Sequence, residues 1–593
     1  MPYQYGTLCG PRNIRLLSVI EAKPGEPLVA ELSEHSLDHD ASYIALSYAW
    51  DTGCELRALR IHDTDLLIHS NLYRCLECLW EKGIRTATWT DAICINQADD
   101  AEKSIQVPLM SDIYRGAAKV YVWLDRATDE ERMAVRQLSN IVLGLEAADP
   151  ALTLGALSAT EAHTTFKSIG IPAPSSDVWV HLARVLNRPW FNRLWVLQEV
   201  LLARHISVLC GAEETEWDQI TRFERQVLRR GLHKILQGTE FSSLQIFHML
   251  NTIANFTTCK TRMLASPSKT EVPTPVLLHV MRRKKVTLSV DRIYGILSLV
   301  PPHLKSRVVI DYEAAPTAVH ADFVKLNLPT DSMLELLSQV YGPDPGRPAA
   351  LPSWCPELDR PPPINRFGGN NGMDSGYHAG FALPFVPKQV VATDTHSSII
   401  TLSGFQVDAV VEIKNGFDTP FASQINSDDA AKLLKWEQEV RALAKRALKG
   451  KDGWRNEYAR ALLADRALTA DNMYCACEDD CLQTHERYLA HLRDVADLRT
   501  SASRPKYPMV DALADRVFIA TEGGRIGYAR PAVQVGDTVC VFENSIVPFI
   551  LRFEGTDKPG RLVGEAYVSN LMRGEVLELE KSGLVRREDI RMT

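Results

Sequence analysis

The chain has 593 residues, 45% of them hydrophobic and 24% charged, with a formal net charge of −8. That is ample for more than one buried core, and it excludes a disordered chain and a surface sheathed in nucleic acid, while the lack of a repeat with a period of roughly 20–50 residues excludes a solenoid. Twelve scattered cysteines read as reduced thiols of a cytoplasmic protein, a nuclear location staying open; the first residues, MPYQYGTLCGPRNIRLL, do not read as a secretory signal, and no apolar run reaches the roughly 18–20 residues of a membrane helix.

Residues 1–42 read as a lead-in with a short strand at 14–19. Residues 43–48 (YIALSY) form an apolar run suited to a buried strand. In 71–82 (NLYRCLECLWEK), Leu72, Cys75, Leu76, Leu79 and Trp80 share one face of a helix that Gly83 caps. A second strand is expected at 87–91 (ATWTD), a helix at 101–117 interrupted or opened by Pro108, a third strand at 119–124 (KVYVWL), and a helix at 129–146. After a Thr/Ser/Ala/Pro-rich insertion at 148–176 come helices at 178–186 and 194–202 and a strand at 205–209. This alternation predicts an α/β core over 43–215 with a mostly parallel sheet flanked by helices.

Residues 216–342 read as a helical region, with helices at 215–236, 242–256 and 317–326, and 343–388 as a Pro/Gly-rich linker. From 389 to 593, strand patterns at 389–393, 398–414, 516–520, 526–529, 537–542, 547–553 and 561–568 predict a β-rich barrel or sandwich, interrupted by a helical insertion at about 426–500.

Three blocks carry a resemblance. The first is Ala45-Leu46-Ser47-Tyr48-Ala49-Trp50. The second runs from Trp89-Thr90-Asp91-Ala92-Ile93-Cys94-Ile95-Asn96-Gln97 through Val120-Tyr121-Val122-Trp123-Leu124. The third is Arg188-Pro189-Trp190-Phe191-Asn192-Arg193-Leu194-Trp195-Val196-Leu197-Gln198-Glu199-Val200. They resemble the fungal heterokaryon-incompatibility (HET) domain, and weaker blocks (Asp291-Arg292-Ile293-Tyr294-Gly295, Leu351-Pro352-Ser353-Trp354, Gly564-Glu565-Ala566-Tyr567-Val568) extend the resemblance along the chain. Where the family usually has a glycine after the first-block tryptophan, this chain has Asp51.

The resemblance implies a self/non-self recognition and programmed-cell-death signalling protein. The HET domain is similar in fold to TIR domains, modules of innate immunity, some of which cleave the nicotinamide–ribose bond of NAD with a helical glutamate in a W-C-x-x-E-L context. Trp195-Val196-Leu197-Gln198-Glu199-Val200 resembles that word with valine for the cysteine, which makes Glu199 the candidate catalytic carboxylate. Ser47, Tyr48, Trp50, Asp91, Trp190 and Arg193 are the candidate substrate-binding residues. Cleaving an N-glycosidic bond develops positive charge on the ribose, which a fixed carboxylate stabilises. No cofactor is required in this reading; NAD is the substrate. The alternative is a non-enzymatic interaction module in which the core self-associates and the C-terminal region recognises a protein partner. In that case Glu199 is a structural ion-pair partner and the tryptophans are core.

Cys475, Cys477, Cys481 and His485 supply enough ligands for zinc, but their spacing fits no standard zinc word. Cys75 and Cys78 read as buried thiols. The basic run at 281–285 reads as a solvated helix end or a nuclear address or phosphate contact. The P-loop, the Rossmann glycine word, H-E-x-x-H and G-x-S-x-G are all absent, which removes the main support for the corresponding enzyme classes. Protein partners are expected; nucleic acid and a membrane span are not.

Overall fold

The computed structural model describes residues 3–593 except 24–25, 40–41, 51–54, 237–242, 328–333, 364–397 (apart from 367, 377 and 379), 417–425, 469–473, 477–480, 499–511, 514 and 556–557. The chain divides into two compact units, Met1–Pro273 with Lys284–Ile310, and Thr274–Arg283 with Asp311–Thr593. The strand expected at 389–393 and the family departure at Asp51 fall outside the described residues.

The first unit is built on a nine-stranded mixed sheet. In chain order its elements are β1 (Asn13–Glu21), β2 (Val29–Ser36), β3 (Ile44–Tyr48), β4 (Leu56–Ile61), β5 (Thr64–His69), α1 (Ser70–Glu81), β6 (Thr88–Trp89), α2 (Asp91–Cys94), α3 (Asp100–Gly116), β7 (Lys119–Trp123), α4 (Asp129–Ala147), α5 (Ala159–Ser168), α6 (Asp177–Leu186), α7 (Val196–Leu202), β8 (Ile206–Cys210) and β9 (Glu213–Glu216). The sheet order is β5-β4-β2-β1-β6-β3-β7-β8-β9. Its centre, β6-β3-β7-β8, is parallel as the alternating pattern predicts. Both flanks turn antiparallel through hairpins. These hairpins are what the sequence reading lacked: β1 and β2 join the sheet instead of standing apart as a lead-in, and β4–β5 turns at His62, with a positive φ of 54°.

Local causes are visible. β3 is buried at all five positions, as a continuous apolar run in a central parallel strand should be. α1 buries Leu72, Cys75, Leu76 and Leu79 against the sheet, and Gly83 (φ +76°) caps it, its N–H donating to the carbonyl of Trp80. Trp80, expected on the buried face, lies at its margin with Arg85 stacked 3.4 Å from its ring centroid. The expected strand at 87–91 shortens to Thr88–Trp89, because Asp91 already opens the one-turn α2.

Beyond β9 lie α8 (Trp217–Arg229), α9 (Leu232–Leu236) and α10 (Ser243–Ala265), so the region is helical as expected. The basic run is solvated only in part: Arg283 and Lys285 are exposed, whereas Arg282 and Lys284 are 2% and 3% exposed.

The second unit holds a closed barrel. Its strands are β10 (Ile400–Lys414), β13 (Val517–Thr521), β14 (Ile526–Ala529), β15 (Thr538–Phe542), β16 (Phe549–Arg552) and β17 (Arg561–Val568). A hairpin, β11 (Arg466–Leu468) with β12 (Tyr474–Ala476), stands apart, and β18 (Glu588–Met592) adds to the start of β10. Closure depends on β10. Two register shifts, at Gln406/Asp408 and Val410/Glu412, bend this strand, so that its first part pairs with β15 and its last part with β13. Phe405, Val410, Ile519, Val541, Ile550 and Val563 fill the core. Helices Ser427–Ala447, Trp454–Leu462 and Cys481–Ala496 form the expected insertion between β10 and β13.

Candidate active site

Ser47 is the polar residue of the otherwise apolar β3, only 1% exposed, and a buried hydroxyl needs partners on both sides. It has them. Trp190 Nε1 donates to Ser47 Oγ at 2.7 Å, which leaves the hydroxyl proton to be donated to Glu199 Oε2. Trp190 comes from the Arg-Pro-Trp-Phe turn and Glu199 from the first turn of α7, whose seven residues are all buried. The third sequence block is thus folded back onto the first.

Glu199 is 4% exposed, and burial raises its carboxyl to a pKa of about 7. The positive charge of Arg193 and the Ser47 hydrogen bond oppose that rise, while the negative charge of Asp91 adds to it. Arg193 is tied by Nη1 to the carbonyl of Tyr48. Asp91 is half-buried and its carboxyl is also raised, by burial first, although Arg193 and two donors, the backbone N–H of Ala92 (2.8 Å) and Trp50 Nε1 (3.1 and 3.3 Å), pull the other way. The Tyr48 and Thr90 hydroxyls, buried near each other, make no well-formed hydrogen bond. Exposure rises outward through the cluster, from Ser47 and Glu199 to Asp91 and Arg193, and reaches 36% at Trp50.

The structure therefore gathers Ser47, Tyr48, Trp50, Asp91, Trp190, Arg193 and Glu199 at the C-terminal ends of adjacent parallel strands, where such sheets bind ligands. It corrects the role of Trp190. The ring is 1% exposed, stacked on Phe256 at 6.3 Å and met edge-on by Phe191 and Trp217, so it has no face to offer a base. Its work is to fix Ser47. Asn96 and Gln97 lock the loop after α2, accepting from Ala98 N and donating to Asp91 O.

Several contributors lie outside the candidate site residues named from the sequence. Arg188 reaches the carbonyls of Leu124 and Asp125 and pairs with Glu131 at 2.7 Å, anchoring the turn that carries Trp190. Lys284, 85 residues beyond Glu199 in the chain, donates to Phe191 O at 2.7 Å and lies 4.1 Å from the Phe256 ring centroid; burial lowers its pKa to about 7. Lys285 pairs through its backbone with Asn192 and Leu194, and Ser298 donates to Gln198 Oε1 at 2.8 Å. Residues 284–298 thus brace the third block from outside it.

Among the described residues no group of His, Cys, Asp and Glu side chains could hold a metal ion. Of the zinc candidates, Cys481 is disulfide-bonded and the buried His485 has Nε2 3.0 Å from Glu437 Oε1; the side chains of Cys475 and Cys477 fall outside the described residues. The disulfide departs from the expectation of reduced thiols at that position, while eight other cysteines, Cys75 and Cys78 among them, are free. Among the described residues no helix is long and apolar enough to cross a membrane.

Comparison with known proteins agrees with this division. Residues 43–199 match the heterokaryon incompatibility protein (HET) family and residues 454–585 the Het-6 β-barrel domain. The chain is 23% identical to heterokaryon incompatibility protein 6, OR allele, of Neurospora crassa over 637 residues, covering 91% of this chain and 90% of the relative. No solved structure matches the chain. The chain thus carries a heterokaryon-incompatibility (HET) domain over residues 43–199, which holds the Ser47–Glu199 cluster, and a Het-6 β-barrel domain over residues 454–585, and it is similar along nearly its whole length to a heterokaryon incompatibility protein.

Proposed function

We propose that the protein acts in self/non-self recognition and relays incompatibility-type programmed cell death from the cytoplasm. In this reading its HET core cleaves the nicotinamide–ribose bond of NAD with Glu199 as the carboxylate at the reacting ribose. The observation that carries this reading is Glu199 itself. It is a buried carboxyl with a pKa of about 7, held by one hydroxyl in a polar cluster at the ends of parallel strands. The resemblance of its helix to the TIR glutamate word supplies the reaction class. Arg193 and the hydroxyls of Tyr48 and Thr90 are the groups at hand for substrate oxygens. Asp91 and the outermost Trp50 form the face through which a ligand enters, so the Trp50–Asp91 hydrogen bonds part on binding.

A second reading is favoured by a different observation. Glu199 is only 4% exposed and its neighbours are packed; if the cluster stays shut, it is the keystone of a self-associating scaffold that signals through protein partners. Nicotinamide release by the full chain, followed by chromatography at high protein concentration, separates the two. The enzyme reading expects release by wild type that is lost in Glu199→Gln and that rises as pH passes about 7, since the carboxylate must be ionised. Absence of release while the chain still triggers cell death assigns the scaffold.

A further inference from the structure

The two edges of the nine-stranded sheet are built differently. At one edge β9 carries Glu213, Glu214 and Glu216, engaged by Arg136, Lys82 and Lys119, which is how sheet edges are kept from pairing with other chains. At the other edge, terminal among the described residues, lies β5, Thr64-Asp65-Leu66-Leu67-Ile68-His69. It carries no lysine, arginine or proline; its single carboxylate, Asp65, is paired with Arg60 of β4 at 2.9 Å, and Leu67 beside it is 60% exposed. The neighbouring β4 places Leu56, 48% exposed, and Ala58 on the same outer face, Ala58 directly across from Leu67.

The backbone is equally open. Ser70 N donates to Glu55 O at 2.9 Å, which fixes the hydrogen-bonded pairs of the hairpin as 55/70, 57/68, 59/66 and 61/64. By the antiparallel alternation, the N–H and C=O groups of Asp65 and Leu67 and the N–H of His69 then point away from β4, toward the free edge, while the C=O of His69, the N-cap of α1, already accepts the first bond of that helix.

We propose that β5 is a self-association edge, at which two copies of this chain pair their β5 strands antiparallel about a two-fold axis through Leu67. The strand is self-complementary in this register. Leu67 faces the partner subunit's Leu67, and Asp65, which Arg60 of its own chain already holds, faces the partner subunit's His69. Residues of the same parity meet, so both sheets keep their outer faces on one side, as a two-fold axis normal to the sheet requires. Leu67 exchanges both backbone bonds with the partner subunit's Leu67, the N–H of His69 donates to the partner subunit's Asp65 carbonyl, and the N–H of Asp65 meets a His69 carbonyl that it shares with the first turn of α1. The exposed leucines give the pair an apolar strip beside the ladder. A strand-edge contact of this length is small, so the dimer is weak and forms as concentration rises. The pairing rests on the reading that the core self-associates. Its test reads mass and register and not nicotinamide, so either can fail alone.

The experiment is sedimentation of the full chain from about 1 to 100 µM, with register mapped by cysteine crosslinking. Cys9, the exposed free thiol among the described residues, is first replaced by serine. Wild type is expected to pass from monomer to dimer across the range. Leu67→Lys, a substitution at an exposed position, is expected to weaken the dimer at least about tenfold by placing two ammonium groups face to face. Opposed residues of a hydrogen-bonded antiparallel pair lie about 5.5 Å apart at Cα, within reach of a disulfide. Leu67→Cys is therefore expected to crosslink to itself under mild oxidation, and Asp65→Cys only when combined with His69→Cys. A chain that stays monomeric throughout, or a Leu67→Lys chain that dimerises like wild type, overturns the proposal. Self-crosslinking of Asp65→Cys as readily as of Leu67→Cys overturns the register.

Discussion

Each unit of the molecule buries a glutamate, one on helix α7 and one on strand β17, and the two are treated in opposite ways. Glu565 of the barrel is fully buried and bound by Arg516 at 2.8 Å, Arg530 at 3.4 Å and the backbone N–H of Phe367 at 2.9 Å, with the Arg516 guanidinium 3.8 Å from the Phe367 ring centroid. Glu199 of the HET core accepts from one serine, and Arg193 acts on it only through space while its guanidinium is tied to Tyr48. A buried carboxylate shared by two guanidiniums specifies a structure. A buried carboxyl left near the midpoint of its titration can change charge at neutral pH, a property found where chemistry or switching occurs.

The largest effect that separates the two is expected at Glu565. Replacing it with alanine removes the carboxylate that both guanidiniums share and should destabilise the chain by about 3–5 kcal/mol, read as a lower urea midpoint of the barrel unit. Glu199→Gln, which mimics the protonated carboxyl, should not lower the midpoint, matching wild type near pH 4.5 and equalling or exceeding it near pH 7, and a loss equal to that of Glu565→Ala would erase the contrast.

Next comes the pH dependence. The folded pKa of Glu199 is raised, from 4.5 to about 7, so the folded state holds a proton that the unfolded state has already released between those values. The contribution of this group is fully present below about pH 4.5 and is lost as pH rises through about 7, a change of up to about 3 kcal/mol. Stability curves of wild type and Glu199→Gln should diverge over that window, and parallel curves would place the carboxyl at an ordinary pKa. Lys284 slopes the other way: its pKa is lowered to about 7, so Lys284→Met should remove a gain in stability between about pH 7 and 10.

A smaller effect, about 1 kcal/mol, is expected for Trp190→Phe, which keeps an aromatic ring and deletes the donor to Ser47. The loss should shrink in a Ser47→Ala background, and full additivity in that cycle would show the two are uncoupled. The smallest change is expected for Trp50→Phe. With the indole exposed, stability should move by less than about 0.5 kcal/mol, while the Asp91 carboxyl, deprived of a donor, should shift further upward in an NMR titration.

The contrast between the two glutamates also marks what the sequence could tell. The words around Ser47, Asp91 and Glu199 are dense and specific, and they name residues that do meet in space. The parallel centre of the first sheet followed from the alternation of apolar strands and amphipathic helices. The flanking hairpins escaped because β4 and β5 mix exposed leucines with charges and show no clean alternation. Barrel closure was not legible, since it depends on two bulges within one strand. Trp190 could not be told from a ligand platform by type alone; only the rings of Phe191, Trp217 and Phe256 around it decide that it is core. Lys284 carried only the signature of a basic run, because periodicity cannot reveal that one lysine of a charged stretch turns inward to a carbonyl 93 positions away.

The central claim, that Glu199 is an acid poised near neutrality inside the HET core, is most directly tested by titrating glutamate side-chain carboxyls labelled with carbon-13 in wild type and in Glu199→Gln. One resonance that titrates near pH 7 in wild type and is missing from the variant is the predicted result. If the resonance lost on substitution instead titrates at the ordinary carboxylate value near 4.3, the site is not poised and Glu199 is an ordinary ion-pair partner.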